Sequence, residues 1–410
     1  MARHEVDLRE RVRRLPGMER LLPALEGLPP TYLVGGAVRD LLRGADAVDL
    51  DLAVEGDARS VARALADRLG GVAREHERFG TATVRAGDLK FDLATTRRET
   101  YDEPGALPRV EKASLDEDLR RRDFAINALA VGLTGDDLGH LYDPCGGLAD
   151  LEEGVVRVLH EGSFIDDPTR LLRAVRYEVR LGFRMDRRTE DLARSAAAAG
   201  ALRTVSGARV RDELMDLLVE PEAPAGVERM HDLGLDRALH PALDADPELA
   251  ASASLGAAAI GADRGLAALA ALCSADPQRL ERWLSGLHLT AEKRDAVARA
   301  AREAPRIAAE LEREHQPSAL RALLAPEPLV SLALALALGA PHEPILRWAT
   351  ELRSVRLEIT GDDLLAAGVP EGPAVGRALA ETLDRKLDGL VSGRDEELEA
   401  ALAVARETAR

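Results

Sequence analysis

Aromatic side chains are scarce, at 3% of 410 residues. The cores must therefore be built from Ala, Leu and Val, and a wide stacking platform for single-stranded nucleic acid is disfavoured. Cysteine is rarer still: Cys145 and Cys273 cannot make a disulfide framework or a Cys-rich zinc site. No apolar run approaches the roughly 18 residues that span a bilayer. The opening MARHEVDLRERVRR also lacks the apolar stretch of a signal peptide. These absences predict a cytoplasmic protein with no membrane partner. Around Gly35-Gly36 neither G-x-G-x-x-G nor G-x-x-x-x-G-K occurs, which excludes the dinucleotide fingerprint and the phosphate loop there.

An excess of positive charge is missing too. Lys and Arg number 55 against 72 Asp and Glu, for a net charge of −17. For the whole chain that argues against a nucleic-acid partner. The charge is uneven, however. Residues 1–150 hold 22 basic and 28 acidic side chains, 151–210 hold 11 and 9, and 211–410 hold 22 and 35. The middle segment alone is slightly basic, and its arginines cluster. At 46% hydrophobic residues the chain can bury a core, and its length predicts two to four domains.

Short β-branched or alternating runs occupy the first 150 residues: TYLV at 31–34, VDLDLAV at 48–54, TATVRAG at 81–87 and LKFDLAT at 89–95. The last two flank a Gly-Asp pair and read as a hairpin. DARSVARALADRLGG reads as a helix ended by glycine. From about residue 165 onward nearly every signal is helical. The fold class is α+β, an N-terminal mixed sheet with helices followed by an all-helical remainder.

Asp49 and Asp51 project from one face of a strand whose flanks are apolar. Two like charges side by side are costly unless cations neutralise them. The reading is either an exposed strand end or a Mg2+ site completed by substrate phosphates. Gly35 and Gly36, between a strand and a helix, suit close backbone approach to phosphate, with Arg39 three residues on. Asp92, mid-strand in KFDLA, is equally a third ligand or an edge-strand acid. Arg120, Arg121 and Arg122 supply charge for phosphate. Asp167 before Pro168 is a natural N-cap. Arg170, Arg173, Arg176 and Arg180 fall within about 120° on a helix, a one-sided stripe. His231-Asp232 lacks partners for a metal site, and Cys145 lacks an adjacent His for nucleophilic work.

In this order, GGAVRD, the DLD strand, RRDFAINALA, DPCGGLADL, DDPTRLLRAVRYEVRLGF and VSGARVRDEL resemble the motifs of class II tRNA nucleotidyltransferases, the CCA-adding enzymes and their poly(A) polymerase relatives. The resemblance covers about residues 31–215. It implies a DNA-polymerase-β-like nucleotidyltransferase head at 1–150 and a helical neck that recognises the base at 151–215. A helical body at 216–310 and a tRNA-contacting tail at 311–410 would follow. By the same resemblance Asp49 and Asp51, with Asp92, are catalytic, the first two holding metal. Gly35, Gly36 and Arg39 would meet the triphosphate. Arg121, Arg122, Asp123 and Asn127 would hold the nucleotide and its sugar, and Asp167 and Arg170 would template the base, with Arg173 and Arg176 alongside.

The expected activity is template-independent addition of C and/or A from CTP and ATP to the 3′ end of tRNA, held at its acceptor stem and elbow, with Mg2+ and no obligate protein partner. Alternatives are addition of the terminal A alone, poly(A) synthesis, and a non-catalytic RNA-binding relative. One departure is Asp166-Asp167, where the family usually has Glu-Asp. Residues 95–119, punctuated by Pro104, Gly105 and Pro108, predict the mobile loop that A-adding members carry and CC-adding members lack.

Overall fold

The computed structural model describes residues 3–45, 50–76 and 80–408. The chain divides into two compact units, Met1–Val210 with Asp232–Leu239, and Arg211–His231 with His240–Arg410. The ranges expected for head and neck fall almost wholly in the first.

The first unit is organised by a sheet of eight strands: β1 Arg3–Asp7, β2 Thr31–Val34, β3 Leu50–Val54, β4 Val72–His76, β5 Thr81–Ala86, β6 Leu89–Thr95, and two strands further on. Between β6 and those two, a separate ribbon pairs β7 Arg97–Thr100 with β8 Arg109–Lys112. The sheet is completed by β9 Ala130–Gly132 and β10 His140–Tyr142, in the order β1-β10-β9-β2-β3-β6-β5-β4. All neighbours are antiparallel except β3 and β6, which run parallel with Asp51 opposite Asp92. The expected hairpin is β5–β6, with Ala86 opposite Leu89 around Gly87-Asp88.

Leu and Val side chains of the strands and of helix Ala58–Leu69 form one core with helix Met18–Ala24. Helix Ala58–Leu69 starts where Asp57 accepts the Arg59 N–H and stops at Gly70, left-handed at φ 66°. Expectation and structure part at residues 95–119. Part of the predicted loop is paired as the β7–β8 ribbon, with 101–108 irregular between the strands, and helix Leu115–Arg120 follows with a Ser114/Glu117 capping box. Across the ribbon Arg98 pairs with Glu111 at 2.5 Å. Pro104 and Gly105 occupy only the turn.

The second unit is helical. The apolar helix Leu329–Ala337 is buried along its length against helices Pro247–Ile260 and Ala291–Glu310. The alanine-rich stretch 249–272 lies mostly in helices Pro247–Ile260 and Arg264–Leu272, separated at Gly261. No single helix among the described residues is long and apolar enough to cross a membrane.

Asp143, in the DPCGG turn, accepts the backbone N–H of Gly147 at 2.7 Å and of Leu148 at 2.9 Å, and so seats helix Gly147–Glu153. A Cβ on Gly147 would lie 2.1 Å from the Ala125 carbonyl oxygen, a rigid backbone neighbour. Gly147→Ala should destabilise the first unit by about 1–3 kcal/mol, read as a lower urea midpoint at unchanged m-value.

Candidate nucleotide-binding active site

Two cavities meet at Asp51. The larger, about 420 Å³, is also lined by Gly35 and Gly36, by Asp123 and Asn127, and by Asp167 and Arg170. The smaller, about 360 Å³, has Asp51, Asp92, His76 and Thr83 in its wall. Arg121 and Arg122 border both. Residues expected from four separate motifs thus line one space.

Gly35 ends β2 and opens helix Gly36–Arg43. Its φ is 68°, and a Cβ there would come within 2.9 Å of Arg122 Nη1. Glycine is therefore required twice, for backbone conformation and for closeness to a guanidinium. Arg122 gives Nη2 to Asp118 at 3.0 Å, while its buried Nε has no hydrogen-bond partner among the described residues. A cation with an unused donor, beside two glycines at a helix N-terminus, is suited to an anion.

Arg121 is held differently. Its Nη1 donates to Glu99 at 2.8 Å, its Nη2 to Asp118 at 2.7 Å, and its Nε to the Arg97 carbonyl at 3.0 Å. It borders the cavity as a strut between the ribbon and helix Leu115–Arg120. Arg39, 4% exposed, is also a support: it forks onto Asp40 and donates Nη1 to Asn127 Oδ1 at 2.8 Å, with the Tyr177 ring 5.3 Å from its guanidinium carbon. It lies behind Gly36 and is not part of the cavity wall, unlike the triphosphate contact expected of it.

Asn127 passes the chain on, donating Nδ2 to Asp123 Oδ1 at 3.0 Å. Asp123 Oδ2 accepts from Arg173 at 3.2 Å. Burial pushes the Asp123 carboxyl up, but Arg173, Asn127 and Arg170 outweigh it and hold the group below the ordinary carboxylate range. Helix Arg170–Leu181 carries the arginine stripe. Arg170 is buried and donates to Ser163 Oγ at 2.7 Å and to the Arg121 carbonyl at 3.0 Å. Arg176 lies against Tyr177, 5.9 Å from its ring centre, and Arg180 is exposed. Asp167 does cap the turn before this helix, accepting from the Thr169 N–H and hydroxyl. The helix N-cap itself is Thr169, and the Asp167 carboxylate that holds it also lines the cavity.

Asp92 accepts from Thr83 Oγ1 and pairs with Lys90 at 2.9 Å. Burial opposes its charge, yet Thr83 and Lys90 hold its pKa below the ordinary value. Asp49 lies outside the described residues. Among the described residues no three His, Cys, Asp or Glu side chains are grouped to hold a metal. Asp51 and Asp92 offer adjacent hard carboxylate oxygens at the cavity edge, a donor set that fits a divalent cation. Cys145, whose thiol burial pushes up to about 11, is no nucleophile, and His231 is exposed on its helix.

Sequence reasoning missed Asp118, Glu99, Tyr101, Tyr177 and Arg209. Asp118 had a signal: it stands three and four residues before Arg121 and Arg122, the spacing at which helical side chains meet. Glu99 and Tyr101 had none, because the ribbon that turns them inward was read as a loop. Burial pushes the Tyr101 phenol up to about 12, with Glu99 adding to the effect.

An α+β head with a carboxylate strand, a glycine-opened helix and an arginine-lined cavity defines a nucleotidyltransferase of the polymerase-β-like type. The family model described as "Poly A polymerase head domain" matches residues 31–157, and "Probable RNA and SrmB- binding site of polymerase A" matches 182–246. A CC-adding tRNA nucleotidyltransferase of Deinococcus radiodurans is 36% identical over 367 residues, 89% of this chain and 87% of that one. An A-adding tRNA nucleotidyltransferase of Geobacter sulfurreducens is 36% identical over 409 residues, 92% of this chain but 45% of the relative. A solved CCA-adding enzyme without ligand superposes with a TM-score of 0.82 at 31% identity, over 98% of this chain and 100% of that one. The chain belongs to the class II tRNA nucleotidyltransferase and poly(A) polymerase family, as its motifs led one to expect. It spans less than half the length of the A-adding relatives from Geobacter sulfurreducens, Aquifex aeolicus and Halalkalibacterium halodurans. Families of this kind generally use divalent metal ions.

Asp118 is 2% exposed. Burial raises its pKa, but Arg121 and Arg122 together bring it below the ordinary value. Its contribution to stability is therefore complete above the unfolded pKa of about 3.9 and is lost as pH falls through the lower folded value. Asp118→Asn should cost about 3–5 kcal/mol at pH 7 and flatten the acid limb of the stability–pH profile, measured by denaturant unfolding between neutral pH and the acid transition.

Proposed function

We propose that the protein is a template-independent tRNA 3′-terminal nucleotidyltransferase, adding C and/or A from CTP and ATP with release of pyrophosphate. The observation that carries this reading is the single cavity where Asp51, Gly35-Gly36 with Arg122, and Asp167 with Arg170 converge. Related CCA-adding enzymes solved with tRNA, CTP and ATP support it.

In this reading Gly35, Gly36 and Arg122 take the triphosphate. Asp123 and Asn127, locked by Arg39 and Arg173, form the wall for the sugar. Asp49 and Asp51, with Asp92 beside Asp51, hold Mg2+. The ion supplies charge stabilisation at the reacting phosphate and a more acidic attacking 3′-hydroxyl. Asp167 accepts from the exocyclic amino group of C or A, and Arg170 donates to the ring acceptor next to it. G and U present a carbonyl oxygen there, which the carboxylate repels, and unpaired buried polar groups discriminate strongly. The acceptor stem and elbow of tRNA are held by the helical residues 216–310 and 311–410 through shape and backbone contacts. The acidic total of the chain makes that binding weak on random RNA and sensitive to salt.

A second reading, addition of the terminal A alone, is supported by the A-adding tRNA nucleotidyltransferases among the relatives; the β7–β8 segment argues only against addition of CC alone. Three tRNA transcripts decide, one lacking all three terminal nucleotides, one ending in CC and one complete, with products sequenced after incubation with each nucleotide. Addition of C to the shortest is expected for a full CCA enzyme. Extension of the CC-ended form only, by A, establishes the A-adding one. Long A-tails on an unstructured RNA would establish a poly(A) polymerase. Asp51→Ala should lower transfer by at least about a hundredfold, while retained activity would remove the catalytic assignment in favour of a different carboxylate set. No extension of any RNA by the native chain would favour the non-catalytic RNA-binding reading.

A further inference from the structure

Three hydrogen bonds converge on one oxygen of Asp167. The Thr169 backbone N–H reaches Oδ1 at 3.1 Å, the Thr169 hydroxyl at 2.6 Å, and Arg209 Nη2 at 2.7 Å. Oδ2 accepts from no described residue, and the side chain, 12% exposed, stands in the cavity wall. A carboxylate pinned through one oxygen cannot turn about its Cβ–Cγ bond without breaking those bonds. Only the other oxygen is offered to a ligand.

Arg209 uses its second terminal nitrogen on the Gly105 carbonyl at 3.2 Å. Gly105, at φ 72°, is itself seated closely. Its N–H donates to the Ile165 carbonyl at 3.2 Å, and a Cβ would lie 2.3 Å from Thr204 Oγ1. One guanidinium thus joins the base-facing carboxylate to the turn between β7 and β8. Arg170 is anchored separately, on Ser163 and the Arg121 carbonyl, so a change at Arg209 reaches Asp167 without unseating Arg170.

We propose that Arg209, with Thr169, is a positioning residue for nucleobase selection: it saturates Asp167 Oδ1 so that Oδ2 alone, in one fixed orientation, meets the base. The inference rests on the nucleotidyl-transfer reading and adds a residue to it. Without Arg209 the buried carboxylate loses its counter-charge and one of three restraints. It then rotates, and its repulsion of a base carbonyl is no longer directed. Selection falls while the phosphate and metal end of the site stays intact.

The test is single-nucleotide extension of truncated tRNA by native protein, Arg209→Ala, Arg209→Lys and Thr169→Val, with KM and kcat measured for ATP, CTP, GTP and UTP. The expected result for Arg209→Ala is a fall of roughly tenfold or more in the kcat/KM preference for the accepted nucleotides over GTP and UTP. The change should appear mainly as a higher KM for the accepted nucleotide. Thr169→Val should move the ratio the same way by less. Lysine at 209, which can reach Asp167 but not Gly105 as well, should restore part of it. A loss of kcat equal for all four nucleotides, with the preference unchanged in these variants, overturns the positioning role. If Arg209→Ala does not fold, the Lys and Val variants decide by the same ratio. A native chain that extends no RNA removes the transfer reading first and this inference with it, a result seen before any substitution is made.

Discussion

A carboxylate removed from water must be met by cations and donors, and in the first unit Asp118 is that group. Its two oxygens gather the Arg97 N–H, Arg121 and Arg122. Those three donors belong to the ribbon and to the turn that follows helix Leu115–Arg120. One buried charge therefore decides where the ribbon lies and how the arginine pair enters the cavity. Arg121 is used up in the process, since its remaining nitrogen goes to Glu99, which also holds Arg97 at 2.9 Å and the Tyr101 hydroxyl at 3.1 Å. Arg122 keeps a donor in reserve beside Gly35. Of two adjacent arginines, one spends every nitrogen on its neighbours and the other does not.

A second chain of polar contacts reaches the same cavity through Asn127, Asp123 and Arg173. Asp40, Arg39, Asn127, Asp123 and Arg173 link helix Gly36–Arg43, the RRD turn and helix Arg170–Leu181. Arg39, Asn127 and Asp123 are buried, Asp40 and Arg173 are partly exposed, and each has partners, the condition under which a buried network rigidifies a site instead of weakening it. The Tyr177 ring closes the relay, edge to face with Phe124 at 5.7 Å and next to Arg39. A chain with few aromatics places two of its four tyrosines, Tyr101 and Tyr177, at this cavity. Both do local packing work, and neither extends into a stacking platform.

Much of the head was legible before the fold was known. Strand alternation predicted Thr31–Val34 and the β5–β6 hairpin, because periodicity and glycine turns act over a few residues. Helix Ala58–Leu69 followed from a stretch that ends on Gly70-Gly71. The ribbon was not legible. Its strands are largely exposed and charged, so they carry no hydrophobic alternation, and the contacts that hold it are distant in the chain: Arg98 with Glu111, Arg97 N–H with Asp118, and Gly105 against Thr204. At Asp167 the turn and Arg209 use one carboxylate oxygen and leave the other to the cavity. Arg39 was expected at the triphosphate by resemblance and Arg121 at phosphate by its charge; the contacts they make are with Asp40 and Asn127, and with Asp118 and Glu99.

What the sequence determined by itself is the inventory and the local grammar: which acids stand in strands, where glycine must turn the chain, and that arginines recur along one helix. These follow from backbone geometry within a few residues. The tertiary structure alone decided which charge faces which. Arg122 and Arg121 are chemically identical neighbours, and only the buried Asp118 and Glu99 distinguish them. Asp51 and Asp92, 41 positions apart, become neighbours only through parallel strand register. Arg209 meets Asp167 only after the ribbon turn and the helices around it have packed. Electrostatic roles depend on partners distant in the chain, and the burial that gives those partners their strength does not exist until the chain has folded.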